Sequence, residues 1–135
     1  MNAIDWQDDC KLGIPSIDAD HRHLHDLLNL FLRRASEEAE PRELAQILNT
    51  LIERTREHFA REEAMMDRTD YPELAAHKAE HDRLLAQLGH IHERYLEGEA
   101  PHQLTRDTAE FLTRWLVDHI RHEDKAYRPF VMRLT

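Results

Sequence analysis

Apolar residues recur along this chain in alternating steps of three and four, the seam pattern of helices that pack side by side. One stripe runs Ile17, His21, Leu24, Leu28, Phe31, Ala35, and a second Leu44, Leu48, Leu51, Thr55, His58, Glu62, Met65. A third runs Leu74, His77, His81, Leu84, Leu88, Ile91, Tyr95. The fourth contains Leu104, Thr108, Phe111, Trp115 and His119, with Leu112 and Leu116 alongside. Proline and glycine mark the breaks. Pro15 precedes the first stripe, with Ser16 or Asp18 as N-cap, and Pro41 and Pro72 stand where a first-turn proline belongs. Gly98 and Pro101 mark a stop and a restart. The pattern predicts four helices over roughly 18–38, 41–67, 72–97 and 102–126, with no strand-like alternation. Short connections make successive helices antiparallel neighbours. The expected fold is therefore all-α, an up-down-up-down antiparallel four-helix bundle (18–126) in a single domain, 1–135. Residues 1–17 form an N-terminal arm expected to lie across the bundle, and 127–135 a C-terminal tail.

Histidine or glutamate interrupts the apolar stripe on every helix. His21 lies near the start of its helix, His58 and Glu62 near an end, His77 and His81 near a start, and His119 near an end. In an antiparallel bundle those positions fall in one layer at one end. Ionisable groups buried together must pair or ligate metal, because leaving them unpaired is costly. His77 and His81 are one turn apart on one face, and so are His58 and Glu62; both are chelating spacings. Imidazole with carboxylate suits iron, and also zinc, manganese or copper. A lone interior histidine is more often a hydrogen-bonded core residue, and a single His-x-x-x-His pair recurs by chance; the joint placement on four helices is what points to metal. His90, His92 and His102 lie far from the layer and are expected in solvent. His23 is off the stripe, while His25 and His122 stand one turn from His21 and His119 as weaker candidates.

Composition narrows the partners. A formal net charge of -9 argues against nucleic acid or an anionic membrane surface. No stretch approaches the roughly 20 apolar residues needed to span a bilayer. The N-terminus lacks the basic stretch and apolar run of a signal peptide, and Cys10 is the single cysteine, so a cytoplasmic location is expected. The 11 histidines outnumber the nine aromatic residues, an excess that core packing does not absorb.

Other metal chemistries fit less well. Lys78 follows His77, so there is no zinc-protease His-Glu-x-x-His. The one Glu-x-x-His, Glu99 to His102, crosses the proline-marked loop rather than a helix, unlike ferritin-type sites. Trp6, Gly13-Ile-Pro-Ser-Ile-Asp18, His21 with Leu24, and His58-Phe-Ala-Arg-Glu62-Glu63 together with Tyr71-Pro72, His77, His81, Trp115-Leu-Val-Asp-His119-Ile120, Asp124 and Tyr127 form a longer pattern. On these residues the chain resembles a bacterial hemerythrin along nearly its whole length.

The resemblance implies a pair of iron ions with a bridging oxo or hydroxo group. His77, His81 and His119 would hold one iron, His21 and His58 the other, with Glu62 and Asp124 bridging. It further implies reversible dioxygen binding at the iron with fewer histidines. Counting donors for two six-coordinate irons agrees, since it leaves one position open there. Leu24, Phe59, Trp115, Leu116 and Ile120 match positions that line the dioxygen pocket in the family, and each is also an ordinary core residue. Asp124 stands five residues after His119, about 140° away around an ideal helix, while Glu123 is better phased. Asp124 is chosen by resemblance, and the helix is expected to widen locally or fray there; a single-turn bulge would restore the phase. The expected function is oxygen storage, delivery or sensing, with no enzymatic activity. The alternative is a di-iron peroxidase or a scavenger of nitric oxide or peroxide. Delivery or sensing would require a separate acceptor or signalling protein.

Overall fold

The computed structural model describes residues 15–98 and 102–119, together with Pro129. They form α1 (Pro15–Ser36), α2 (Pro41–Arg68), α3 (Leu74–Leu96) and α4 (His102–Asp118). Contacts between helix ends establish the topology. The start of α1 meets the end of α2 through His21 and His58. The end of α1 meets the start of α2 where Arg34 donates to both oxygens of Glu43, at 2.7 and 2.8 Å. The end of α2 reaches the start of α3 through Glu63 and His81. The hydroxyls of Tyr95 and Thr105, 2.8 Å apart, join the end of α3 to the start of α4. His21 and His119 close the ring between α1 and α4. Successive helices are thus antiparallel, as the stripes predict, in an all-α up-down-up-down bundle. Among the described residues no helix is long and apolar enough to cross a membrane.

Helix α1 starts at Pro15, earlier than expected, so Ser16 and Asp18 lie in its first turn and are not N-caps. Proline is tolerated there because a first-turn N–H has no helical partner to lose. Pro41 does open α2, after Glu40 in extended conformation. Pro72 instead sits in the turn before α3, whose N-cap is Glu73.

Three helices end the same way. Glu38, Asp70 and Gly98 have φ of 56°, 54° and 84°. At the first, Glu38 N–H bonds Ala35 O and Ala39 N–H bonds Arg34 O. At the second, Asp70 N–H bonds Asp67 O and Tyr71 N–H bonds Met66 O. This paired closure satisfies carbonyls that the helix leaves open. After α2 it also packs Tyr71 on Met66 and Ile17, a small apolar cluster that ties the α2–α3 turn to the start of α1. The stop at Gly98 follows the sequence expectation. Glu38 carries a side chain in a region that suits glycine. Glu38→Gly should stabilise the fold by about 0.5–1 kcal/mol, the relief of left-handed strain exceeding the entropy of the added glycine. A higher urea midpoint with an unchanged slope would show it.

The main core runs through the stripes, with Leu28, Phe31, Leu48, Leu51, Leu88 and Leu112 fully enclosed. Two stripe positions differ from expectation. Met66 and Leu112 are buried, while Met65 and Phe111 are only partly so. An α-helix turns by 3.6 residues, so a strict three-and-four count drifts off the inner face after several turns.

Candidate metal centre

The ionisable residues of the four stripes meet in one layer. His21, His58 and Glu62 are completely buried, and His119 nearly so. One donor atom from each lies within 4.8 Å of the others. His21 Nε2 and His58 Nε2 are 2.9 Å apart. Glu62 Oε1 contacts His58 Nε2, accepts from His119 Nε2 at 3.2 Å and lies 3.9 Å from His21 Nε2. His81 is buried on the α3 side of this group, its ring centroid 5.4 Å from that of His119. His77 lies one turn before it, buried beside Tyr71. The structure therefore brings six of the seven sequence candidates into one layer. Four form the tight group, and His77 and His81 extend it toward α3.

The far nitrogens of two imidazoles are held by carboxylates. His58 Nδ1 donates to Asp20 Oδ2 at 3.2 Å, and His81 Nδ1 donates to Glu63 Oε2 at 3.0 Å. Arg61 grips Asp20 from outside with two bonds of 2.7 Å. A carboxylate on Nδ1 fixes the tautomer and turns Nε2 inward, which is how metal-binding histidines are oriented. Sequence analysis missed Asp20, Arg61 and Glu63 as functional residues. Asp20 and Glu63 flank His21 and Glu62 in the chain, a signal of proximity. Adjacent helical side chains diverge by about 100°, however, and each carboxylate serves a histidine on the neighbouring helix, so only packing reveals the pairing.

Charge in the layer is settled by these contacts. Burial opposes protonation of His58, but the Glu62 and Asp20 carboxylates overcome it and raise its pKa to about 9. Burial would raise Glu62, yet His58 and His119 hold it well below the usual carboxylate range. Burial pushes His21 down. Asp20, despite partial burial, is lowered to about 2 by His58 and Arg61.

An apolar wall encloses the layer. Phe59 stacks on His81 with ring centroids 3.7 Å apart, and Trp115 and Phe59 both flank His119. Leu24, Phe59, Trp115 and Leu116 all belong to the main core cluster. His25 is buried, its Nδ1 3.4 Å from Asn29 Nδ2, and outside the four-donor group. His23 and His90 are exposed and His92 is partly so. Ile120, His122, Glu123 and Asp124 lie outside the described residues, as do the side chain of His102 and most of the arm and tail. The regular α pattern of α4 ends at Asp118, and His119 stands in a wider π-type turn.

The donors suit a bound cation. Glu62 Oε2 is buried without a hydrogen-bond partner among the described residues. Between the Nε2 atoms of His21 and His58, 2.9 Å apart, there is room for at most one proton, so at least one of the two nitrogens turns a lone pair toward the centre of the layer. Buried polar atoms are normally satisfied, and a metal ion would take the carboxylate oxygen and the imidazole lone pairs together.

Comparison with known proteins agrees with this chemistry. The family model described as "Hemerythrin HHE cation binding domain" matches residues 12–131. A bacteriohemerythrin of Stenotrophomonas maltophilia is 33% identical over 127 residues, covering 94% of this chain and 80% of that protein. One from Methylococcus capsulatus is 35% identical over 112 residues, covering 83% of each. The crystal structure of a wild-type hemerythrin matches with a TM-score of 0.85 at 30% identity, over 96% of this chain and 98% of that one. A buried histidine–carboxylate layer, the bundle that builds it and a match over nearly the full length lead to one conclusion: this chain belongs to the hemerythrin HHE cation-binding family.

Proposed function

We propose that this protein binds dioxygen reversibly at a pair of iron ions held in the histidine–carboxylate layer. His77, His81 and His119 would hold one iron and His21 and His58 the other, with Glu62 and, on the resemblance, Asp124 shared between them. The observation that carries the reading is the convergence of His21, His58, Glu62 and His119 from three helices inside an apolar core. When bound, the iron pair supplies reversible one-electron oxidation at each metal and one open coordination position. The chain supplies the rest. Asp20 and Glu63 orient His58 and His81, and Glu62 offers an anionic oxygen that no donor among the described residues occupies. Leu24, Phe59, Trp115 and Leu116, joined by Ile120 on the resemblance, keep water from the open position. Five neutral imidazoles and two carboxylates donate less negative charge than a carboxylate-rich site, which favours binding over oxidation of a substrate. The role is therefore that of a carrier, store or sensor rather than an enzyme. The single cysteine suits the reducing cytoplasm, where an acceptor or signalling protein would complete delivery or sensing.

Purified protein should carry about two irons per chain. The reduced form should be nearly colourless, gain a visible band in air and lose it under vacuum. Azide should bind the oxidised form at the open position. One zinc and no iron after growth in iron-replete medium would sink the metal assignment. Rapid turnover of peroxide or dioxygen, with no reversible coloured state, would replace the carrier with a scavenging enzyme.

A further inference from the structure

Two buried imidazoles donate from Nδ1 to a carboxylate, but the two carboxylates are not equivalent. Glu63 bonds only His81 among the described residues. Asp20 is shared: Arg61 Nε takes Oδ2 and a terminal Arg61 nitrogen takes Oδ1, both at 2.7 Å, while His58 Nδ1 holds Oδ2 at 3.2 Å. The guanidinium bonds are shorter than the imidazole bond, and the His58–Asp20 bond is longer than the His81–Glu63 bond at 3.0 Å.

We propose that Asp20 and Arg61 are a positioning pair that limits how strongly His58 donates to its iron, making the two irons electronically unequal. The inference rests on the iron reading above. A carboxylate accepting from Nδ1 gives the ring imidazolate character, so Nε2 becomes a stronger donor and favours the ferric state. A guanidinium fork on both carboxylate oxygens withdraws that density and weakens the acceptor. Glu63 thus pushes His81 fully, while Asp20, restrained by Arg61, pushes His58 less. On the ligand assignment proposed above, the restraint would fall on the iron held by His21 and His58, where stronger donation would favour permanent oxidation. Stability does not explain the contact well. Arg61 is half-exposed, and ion pairs at exposed sites contribute little. The sequence positions suit the role: each partner stands one residue before a metal-layer residue, His21 or Glu62, so the pair clamps α1 to α2 at the metal level.

The test measures the midpoint potential of the iron-loaded protein by spectroelectrochemical titration, together with iron retention against a chelator. Arg61→Leu should lower the potential and speed autoxidation, because Asp20 is released to His58. Asp20→Asn should raise the potential and loosen iron by about tenfold or more. The double variant should behave like Asp20→Asn, since Arg61 acts through Asp20. Arg61→Lys keeps the charge but not the fork, and should restore the potential only in part. Opposite shifts in the two single variants carry the proposal. Unchanged potentials, or shifts of the same sign with parallel iron loss, overturn it in favour of a structural clamp. If Asp20→Asn does not fold, an unchanged potential in Arg61→Leu overturns it alone. A wild-type protein that takes up no iron sinks the metal reading itself, an outcome distinct from iron-loaded variants whose potentials do not move.

Discussion

Replacing Glu62 with glutamine is expected to strip most of the iron from the purified protein while the four helices stay in place. Glutamine keeps the volume of the completely buried side chain and an oxygen that accepts from His119, so the core has no cavity to collapse. It cannot supply the anionic oxygen that Glu62 Oε2 presents without a partner among the described residues. Loss of an outer partner of a metal ligand lowers affinity about 10–100-fold, and loss of a bridging ligand should exceed that. Iron content by metal analysis, with helicity by circular dichroism, separates lost ligation from lost folding. His81→Ala should also lower iron, whereas His90→Ala, exposed on α3, should leave it unchanged. Equal iron in Glu62→Gln and wild type would place the centre elsewhere in the bundle.

The bundle and its layer were legible because periodicity and burial report the same fact. A residue such as His58 or Glu62 on an apolar stripe has to face the core, and short connections then set which helix ends meet. What escaped depends on geometry the pattern does not carry. Glu38 and Asp70 terminate helices in a left-handed conformation normally marked by glycine, and only Gly98 announced itself. The start of α1 was misplaced because Pro15 is as compatible with a first turn as with the residue before one. Asp20 and Glu63 look like solvated charges beside the stripes, since their partners His58 and His81 belong to other helices. The phase of Asp124 is a subtler case. The sequence shows the mismatch with His119 and calls for a helix that widens or frays there; His119 itself stands in a π-type turn, while Asp124 lies outside the described residues.

The iron-free protein is expected to lose stability as pH rises from about 6.5 to about 9, while its capacity to be stabilised by iron grows over the same interval. His58 in the folded apoprotein is raised from 6.5 to about 9, with burial opposing the shift and the Glu62 and Asp20 carboxylates driving it. A raised histidine contributes fully below its unfolded value and loses that contribution as pH climbs through the folded one. The shift corresponds to something on the order of 3 kcal/mol. His21 has the opposite sign: it is lowered by burial, so it penalises folding only when pH falls below 6.5. Asp20, lowered to about 2, withdraws its support at still lower pH, below its ordinary value of 3.8. Apoprotein stability should therefore peak on the acid side of neutrality and decline above it. Iron reverses the requirement, because a ligating Nε2 cannot also hold a proton, so metal competes with the proton that Glu62 keeps on His58. Thermal melts of apo and iron-loaded protein at about pH 6.5 and about pH 9 should show the gap between them widening with pH. The apoprotein slope should largely vanish in Glu62→Gln, which removes the main carboxylate facing His58. A gap that stays flat, or an apoprotein slope that survives this substitution, would show that the buried proton does not reside on His58.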